Sequence, residues 1–315
     1  MAAATLTLYL LTWNVATRSP VENINSLLNL ENMNSTGKLP DLYVIGFQEV
    51  DSAVWSDITD SVTHTDPWTD LLQNTLRDFG YVQLKRRRLQ GIVLNVFCLS
   101  KHFDLFRDVD SESKGTGWGK FWGNKGAVGI RFNIHGKNIC FMNTHLKDGN
   151  HLDDRISMYN RIIDGIKFDV DNRNKILAHD YVFWLGDLNF RLGGDLTAEE
   201  IEQYVKDGRL NELLQYDQLS QNIRDRHVFT DFKEGTISFP PTYKYIQRSQ
   251  DFNLERRPAW TDRILYRVND ETDIHENLRV EQDHYTSHPE YDVSDHRPVT
   301  AMFDIVVRQE VPDAA

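Results

Sequence analysis

An α/β fold follows from the patterning of this 315-residue chain. Apolar, β-branched runs of strand length alternate with stretches in which apolar residues recur every three to four positions, the helical period. The two kinds of stretch interleave from end to end, without a repeat, a low-complexity tract or a linker rich in Pro, Gly or Ser. One domain over 1–315, with a core of about 5–308, is therefore expected.

Residues 6–14 open with a strand ending in Thr12-Trp13-Asn14, and 42–50 form a second that ends in Gln48-Glu49-Val50. Trp68, Leu71, Leu72, Leu76 and Phe79 share one face at helical spacing, which makes 68–79 a crossover helix. Strands follow at 81–85, 92–100, 127–134 and 137–143, and His135-Gly136 turns the last two into a hairpin. Helical periodicity covers 154–168 and 197–215, the second opening with Thr197 and Glu200 at capping-box spacing. Between them 181–185 is an apolar strand that stops at Gly186, and 264–268 and 299–307 close the chain with two more.

Composition narrows the function classes. Lys plus Arg is 35 against 47 for Asp plus Glu, a net charge of −12 that disfavours non-specific grip on nucleic acid. The two cysteines, Cys98 and Cys140, lie in apolar runs rather than at metal or disulfide spacing, as buried thiols in a reducing compartment would. Residues 6–13 lack the basic flank and cleavage site of a signal peptide, and no run of membrane-spanning length is present. A cytoplasmic protein, soluble or peripheral at membranes, is expected, and the Asn34-Ser35-Thr36 sequon is read as chance.

Chemistry collects at strand ends. Asp187 and Asn189 follow the 181–185 strand two apart, so an extended backbone points both to one face where open α/β sheets place their sites. Alone, this segment reads equally as a strand followed by an Asx turn. Asn14, Glu49, Asn143-Thr144-His145 and Ser294-Asp295-His296 repeat the pattern at other strand ends. Together they supply the oxygen ligands of a hard cation such as Mg²⁺, with histidines left for proton transfer and charge stabilisation. Zinc is disfavoured, because thiolate clusters and His-Glu-x-x-His spacing are absent from the sequence.

Two longer stretches, Phe183-Trp184-Leu185-Gly186-Asp187-Leu188-Asn189-Phe190-Arg191 and Arg257-Pro258-Ala259-Trp260-Thr261-Asp262-Arg263-Ile264-Leu265, resemble the signature motifs of the inositol polyphosphate 5-phosphatases. Thr12-Trp13-Asn14-Val15, Gly46-Phe47-Gln48-Glu49, Gly123-Asn124-Lys125-Gly126, Asn143-Thr144-His145-Leu146, Pro240-Pro241-Thr242-Tyr243-Lys244-Tyr245 and Ser294-Asp295-His296-Arg297-Pro298 match in order, so the resemblance covers nearly the whole chain. Thr261 in place of the commoner Cys looks most like the skeletal-muscle- and kidney-enriched subgroup.

The resemblance implies a DNase I-like fold, a four-layer sandwich of two packed mixed β-sheets flanked by helices, and hydrolysis of the 5-phosphate of phosphoinositides or soluble inositol phosphates. It implies that Glu49 and Asn14, with Asp295, hold Mg²⁺. Asp187 then positions and deprotonates the attacking water, which Asn189 orients. His296, partnered by Asp262, bonds the scissile phosphate, and His145 stabilises the transition state. Tyr243, Lys244 and Arg257 would recognise the adjacent phosphate, with Arg257 standing where the family commonly has Lys. Lys125, Lys147 and Arg263 are further candidates for the substrate's charge, although an Arg such as Arg191 or Arg263 beside a carboxylate also reads as a buried ion pair. Trp118, Phe121 and Trp122, in a glycine-rich loop, are expected to touch the bilayer interface. The cations at 85–88 read as a solvated strand edge. A monomer acting on a lipid headgroup at a membrane surface is the implied assembly. An endonuclease of the same superfamily and a non-catalytic lipid-binding scaffold are the competing readings.

Overall fold

The computed structural model describes residues 3–21, 23–31, 39–51, 66–117, 125–171, 173–269 and 278–308. The strands are β1 (Ala3–Asn14), β2 (Leu42–Gln48), β3 (Tyr81–Leu89), β4 (Ile92–Leu99), β5 (Phe106–Gly115), β6 (Gly126–Ile134), β7 (Lys137–His145), β8 (Tyr181–Asp187), β9 (Lys233–Glu234), β10 (Asp262–Val268), β11 (Val280–Ser287) and β12 (Val299–Arg308). The α-helices are α1 (Pro67–Arg77), α2 (Leu152–Gly165), α3 (Ala198–Lys206), α4 (Leu210–Leu213) and α5 (Gln218–Arg224).

The strands form two six-stranded sheets, ordered β11-β12-β1-β2-β4-β3 and β5-β6-β7-β8-β10-β9. Each sheet has one parallel pair at its centre, β1 with β2 and β7 with β8, and antiparallel neighbours around it. Alternation along a strand sorts side chains to the two faces. Leu6, Leu8 and Leu10 of β1 enter the core between the sheets, with Phe141 of β7 and Phe183 of β8. Tyr9, Leu11 and Trp13 enter an outer core with Trp68, Leu72 and Leu76 of α1. On the far side, Met142, Val182 and Trp184 pack with Tyr159 and Ile162 of α2 and Leu219 of α5. Helix, sheet, sheet and helix are the four layers expected. Because both faces of the central strands are buried, those strands read as continuous apolar runs rather than alternating ones.

The helix expected over 68–79 is α1, and the one expected over 154–168 is α2, which starts two residues earlier. Asp66 caps α1 by accepting from Thr69 N at 2.9 Å, and Pro67 occupies the first helical position. Thr197 and Glu200 close the capping box of α3. The helix expected over 197–215 is instead two, because Asp207 caps α3 and Gly208 turns the chain at φ +70°. Strands β5 and β11 went unread, and β3 runs to Leu89, through the cations of 85–88, where only 81–85 was expected. These are edge strands, and their polar sequences suit an edge that must discourage pairing with another chain. Cys98 and Cys140 are free and buried. Among the described residues, no helix is long and apolar enough to cross a membrane. The Asn34 sequon and the aromatic residues Trp118, Phe121 and Trp122 lie outside the described residues.

Candidate active site

Topology delivers the functional side chains to one rim. The parallel strands β1 and β2 end there at Asn14 and Gln48, and β7 and β8 end there at His145 and Asp187. The antiparallel neighbours begin where these end: Asp262 opens β10 opposite Asp187, and His296 lies just before β12, which pairs with β1. Ligands bind at the carboxyl ends of such strands because the backbone ends and turns there, leaving side chains uncovered. The approach of β7 to β8 is so close that a Cβ on Gly186 would lie 2.0 Å from Thr144 O, so Asp187 reaches the rim only because glycine precedes it.

Asp187 is the hub. Its Oδ2 accepts from Asn14 Nδ2 at 3.0 Å and lies 3.3 Å from His145 Nε2 and 3.9 Å from His296 Nε2. Its Oδ1 accepts from Asn189 N at 3.1 Å. Burial opposes ionisation, but the His145 side chain beside it and the positive charges of His296 and Lys125 outweigh that penalty and hold the carboxyl well below the usual range. Asp187 is therefore ionised and, with hydrogen bonds from Asn14 and Asn189, keeps lone pairs free to accept from a water.

His296 is held the other way. Its Nδ1 donates to Asp262 Oδ2 at 2.9 Å, and that oxygen also accepts from Thr242 Oγ1 at 2.7 Å and Thr261 Oγ1 at 2.8 Å. Burial disfavours the imidazolium, yet the Asp262 and Asp187 carboxylates push its pKa up to about 9. A cationic donor thus faces the cleft from Nε2. His145 is the neutral counterpart, lowered by burial and by Lys125, whose Nζ meets the same Nε2 that faces Asp187. Lys125 is itself buried, and burial lowers its pKa.

Two groups could hold a cation. Ligand-type atoms of Asp187, Asp262 and His296 lie within 4.8 Å of one another. That trio is better read as a charge relay, because the protonated ring has no lone pair to give. Glu49 fits better. It sits at φ +56° just after β2, its carboxylate is 35% exposed, and its nearest ion-pair partner is His145 Nε2 at 3.8 Å. Asn14 Oδ1, which accepts from Ala16 N at 3.0 Å, and Asp295, 3.6 Å from Lys244 Nζ, offer further oxygen atoms of the kind a hard cation takes.

Beside this centre the cations form a second cluster. The Tyr243 ring lies 4.5 Å from that of His296, and the Arg191 guanidinium stands over the Tyr243 ring, 4.6 Å from its centre. Arg191 also bonds Asn189, through Nη2 to Oδ1 and through Nε to the carbonyl at 3.2 Å, which settles it as the residue that fixes Asn189 and stacks Tyr243. Arg257 is fastened to Gly193 O at 2.9 Å and Gly194 O at 3.1 Å and lines a pocket with Arg191 and Tyr243. Lys147 pairs with Asp148 at 3.3 Å nearby.

One candidate is corrected. Arg263 is fully buried, with Nε and Nη2 each 2.7 Å from Glu234 and Nη1 3.0 Å from Asp217, so it faces no substrate. Strand alternation sends it to the face opposite its neighbour Asp262. Thr242 and Thr261, which lock Asp262, stood inside recognised stretches, but the direction of a hydroxyl is not legible in a sequence.

Comparison with known proteins agrees with this arrangement. Residues 11–302 match the Endonuclease/Exonuclease/phosphatase family 2. The chain is 35% identical over 317 residues to mouse phosphatidylinositol 4,5-bisphosphate 5-phosphatase A, covering 96% of this chain but 31% of that protein. It is 32% identical over 313 residues to mouse inositol polyphosphate 5-phosphatase K, covering 95% of this chain and 66% of that one. Among solved structures, the inositol polyphosphate 5-phosphatase domain of SPsynaptojanin, in complex with inositol (1,4)-bisphosphate and calcium ion, superposes with a TM-score of 0.80 at 32% identity, covering 98% of this chain and 86% of that one. With its two sheets, its rim of strand-end side chains and this coverage, the chain belongs to the inositol polyphosphate 5-phosphatase family.

Proposed function

We propose that this chain hydrolyses the 5-phosphate of phosphoinositides such as phosphatidylinositol 4,5-bisphosphate and 3,4,5-trisphosphate, and of soluble inositol polyphosphates, with Mg²⁺ as cofactor. The observation that carries the reading is the Asp187 carboxylate set between Asn14, His145 and the Asp262-held His296. Relatives named as 5-phosphatases, one solved with an inositol bisphosphate and a divalent ion, support it.

In this mechanism Asp187 and Asn189 orient a water for in-line attack on the phosphorus. As the new P–O bond forms, the ester bond to the inositol 5-oxygen breaks and Asp187 takes the water's proton; the departing oxygen leaves as the alcohol once a proton is returned to it. His296 donates from Nε2 to a phosphoryl oxygen, and Asp262 keeps it charged. Lys125 and His145 face the charge that builds on the remaining oxygens. Such preorganised donors act where charge develops, each contributing roughly 10²–10³-fold in rate. Glu49, Asn14 and Asp295 would hold the Mg²⁺, which when bound supplies Lewis-acid neutralisation of the phosphate. Tyr243, Lys244 and Arg257, with Lys147, would face the neighbouring phosphates. Acting as a monomer, the protein would sit peripherally on a membrane, with Trp118, Phe121 and Trp122 as its contact.

Phosphate release from vesicles containing phosphatidylinositol 4,5-bisphosphate tests the reading. Release that a chelator abolishes and Mg²⁺ restores, with no nicking of plasmid DNA, is expected. Nicking without phosphate release would overturn it in favour of a nuclease, and full phosphate release by Asp187→Ala would overturn the assignment of the chemistry.

A further inference from the structure

The pocket beside the catalytic rim has a volume of about 260 Å³ and two walls that come from distant parts of the chain. Residues 148–150 form one wall, Arg191 and Leu192 the other, and Tyr243 with 255–257 closes it. Neither wall is a strand or a helix, so something outside the pocket must hold them apart at a fixed distance.

Arg155 and Gln218 provide that link. Arg155 lies on α2, is fully buried, and sends Nη1 to the carbonyls of Lys147 at 3.0 Å and Gly149 at 2.8 Å, the backbone of the first wall. Its Nη2 donates to Gln218 Oε1 at 2.9 Å, and the same oxygen accepts from Arg191 N at 3.0 Å in the second wall. Gln218 N in turn donates to Arg191 O at 2.9 Å, so this one residue holds Arg191 by both of its backbone groups. The link is anchored from behind. Asp217 caps α5 through Ser220 N at 2.8 Å and receives Arg263 from β10, which ties the start of α5 to the second sheet. Arg263, excluded from the cleft, thus reaches it indirectly through Asp217 and Gln218.

We propose that Arg155 and Gln218 are positioning residues that set the width of this pocket and so its affinity for a phosphorylated inositol ring. The inference rests on the 5-phosphatase reading for the identity of the ligand. Arg155 suits the task because a planar guanidinium can bond two carbonyls and an amide oxygen at once in a fixed fork, which an ammonium cannot. All three acceptors are neutral, and the charges that face the buried Arg155 are the carboxylates of Asp187, Asp148 and Asp154 and the Arg191 guanidinium.

The test measures binding of inositol 1,4-bisphosphate by calorimetry beside KM, kcat and Tm, for the wild type, Gln218→Leu, Gln218→Glu and Arg155→Lys. Gln218→Leu should weaken the Kd and raise KM by about tenfold, the equivalent of one hydrogen bond's worth of geometry, with kcat held within about threefold. Gln218→Glu keeps the shared acceptor and should recover most of that loss. Arg155→Lys keeps the charge but loses the fork and should resemble Gln218→Leu, which serves if the leucine variant does not fold. Unchanged Kd and KM with only a lower Tm, a fall in kcat at constant KM, or a glutamate variant as weak as the leucine one would each overturn the proposal. A wild type that binds the bisphosphate but releases no phosphate from any inositol phosphate overturns the 5-phosphatase reading alone, since the Kd values still decide the pocket. A wild type that does not bind it overturns both.

Discussion

His296 Nδ1 lies 2.9 Å from Asp262 Oδ2 while its Nε2 faces Asp187 3.9 Å away, so one imidazole stands between two buried carboxylates. Their joint field outweighs the burial penalty and raises its pKa to about 9. The imidazolium is present below that pH and is lost as the pH rises through it. The wild-type pH profile of kcat/KM should therefore fall on its alkaline side near 9. Asp262→Asn should move that limb to lower pH and reduce kcat/KM by about 10²–10³-fold at neutral pH. An alkaline limb that stays in place would show that His296 is not the group being read.

Gly186 should tolerate no side chain. A Cβ there meets Thr144 O at 2.0 Å, and the residue sits at φ +142°, outside the range of L-residues. The clash is with backbone in the centre of a sheet and cannot be relieved by a rotamer change. Gly186→Ala should lose more than about 3 kcal/mol in urea unfolding. A loss below about 1 kcal/mol would mean that β7 and β8 can separate at their ends.

His179 should make stability depend on pH. It is fully buried, its Nδ1 meets the carbonyls of Lys175 and Ile176 at 3.0 Å, and its Nε2 accepts from Arg131 Nε at 3.2 Å. Burial first, and then the Arg131 charge, lower its pKa to about 4, although the two carbonyls oppose this. Between about 6.5 and 4 the unfolded chain binds the proton and the folded one does not. Stability conferred by the neutral ring is thus complete above that window and is lost as pH falls through it, by about 3 kcal/mol in all. Urea unfolding of wild type and His179→Gln at pH 7 and pH 4.5 checks this, and equal losses in both proteins would count against it.

The aromatic loop should separate lipid from soluble substrates. Trp118, Phe121 and Trp122 lie among glycines and beside Lys120, a composition suited to the bilayer interface. Replacing all three by Ser should reduce activity on vesicle-borne lipid by about tenfold or more and spare a soluble inositol phosphate. Equal loss on both substrates would place the loop's role in the cleft or in folding instead.

Much of the site was legible because strand ends are legible. Apolar runs that stop at Asn14, Glu49, His145 and Asp187 mark where buried strands reach a surface, and the capping signal at Thr197 marks a helix start. The edge strands β5 and β11 were not legible, since their polar sequences serve to discourage pairing and carry little apolar alternation. Arg191 and Arg263 looked alike in sequence, each close to a carboxylate or carboxamide in a signature stretch. Their fates diverge because Arg191 lies past the end of β8 and reaches Tyr243, whereas Arg263 lies within β10 and points away from the rim.

By itself the sequence determined the α/β class, the residues that end the strands at the rim, and the family, since these depend on which residues end apolar runs and in what order. Only the tertiary structure decided which carboxylate partners which histidine, that Thr242 and Thr261 hold Asp262, and that Arg155 and Gln218 join the two pocket walls. The physical reason is range. Periodicity and capping act over a few residues, whereas His296 meets Asp262 across 34 positions and Asn14 meets Asp187 across 173, and such contacts exist only once both sheets are closed.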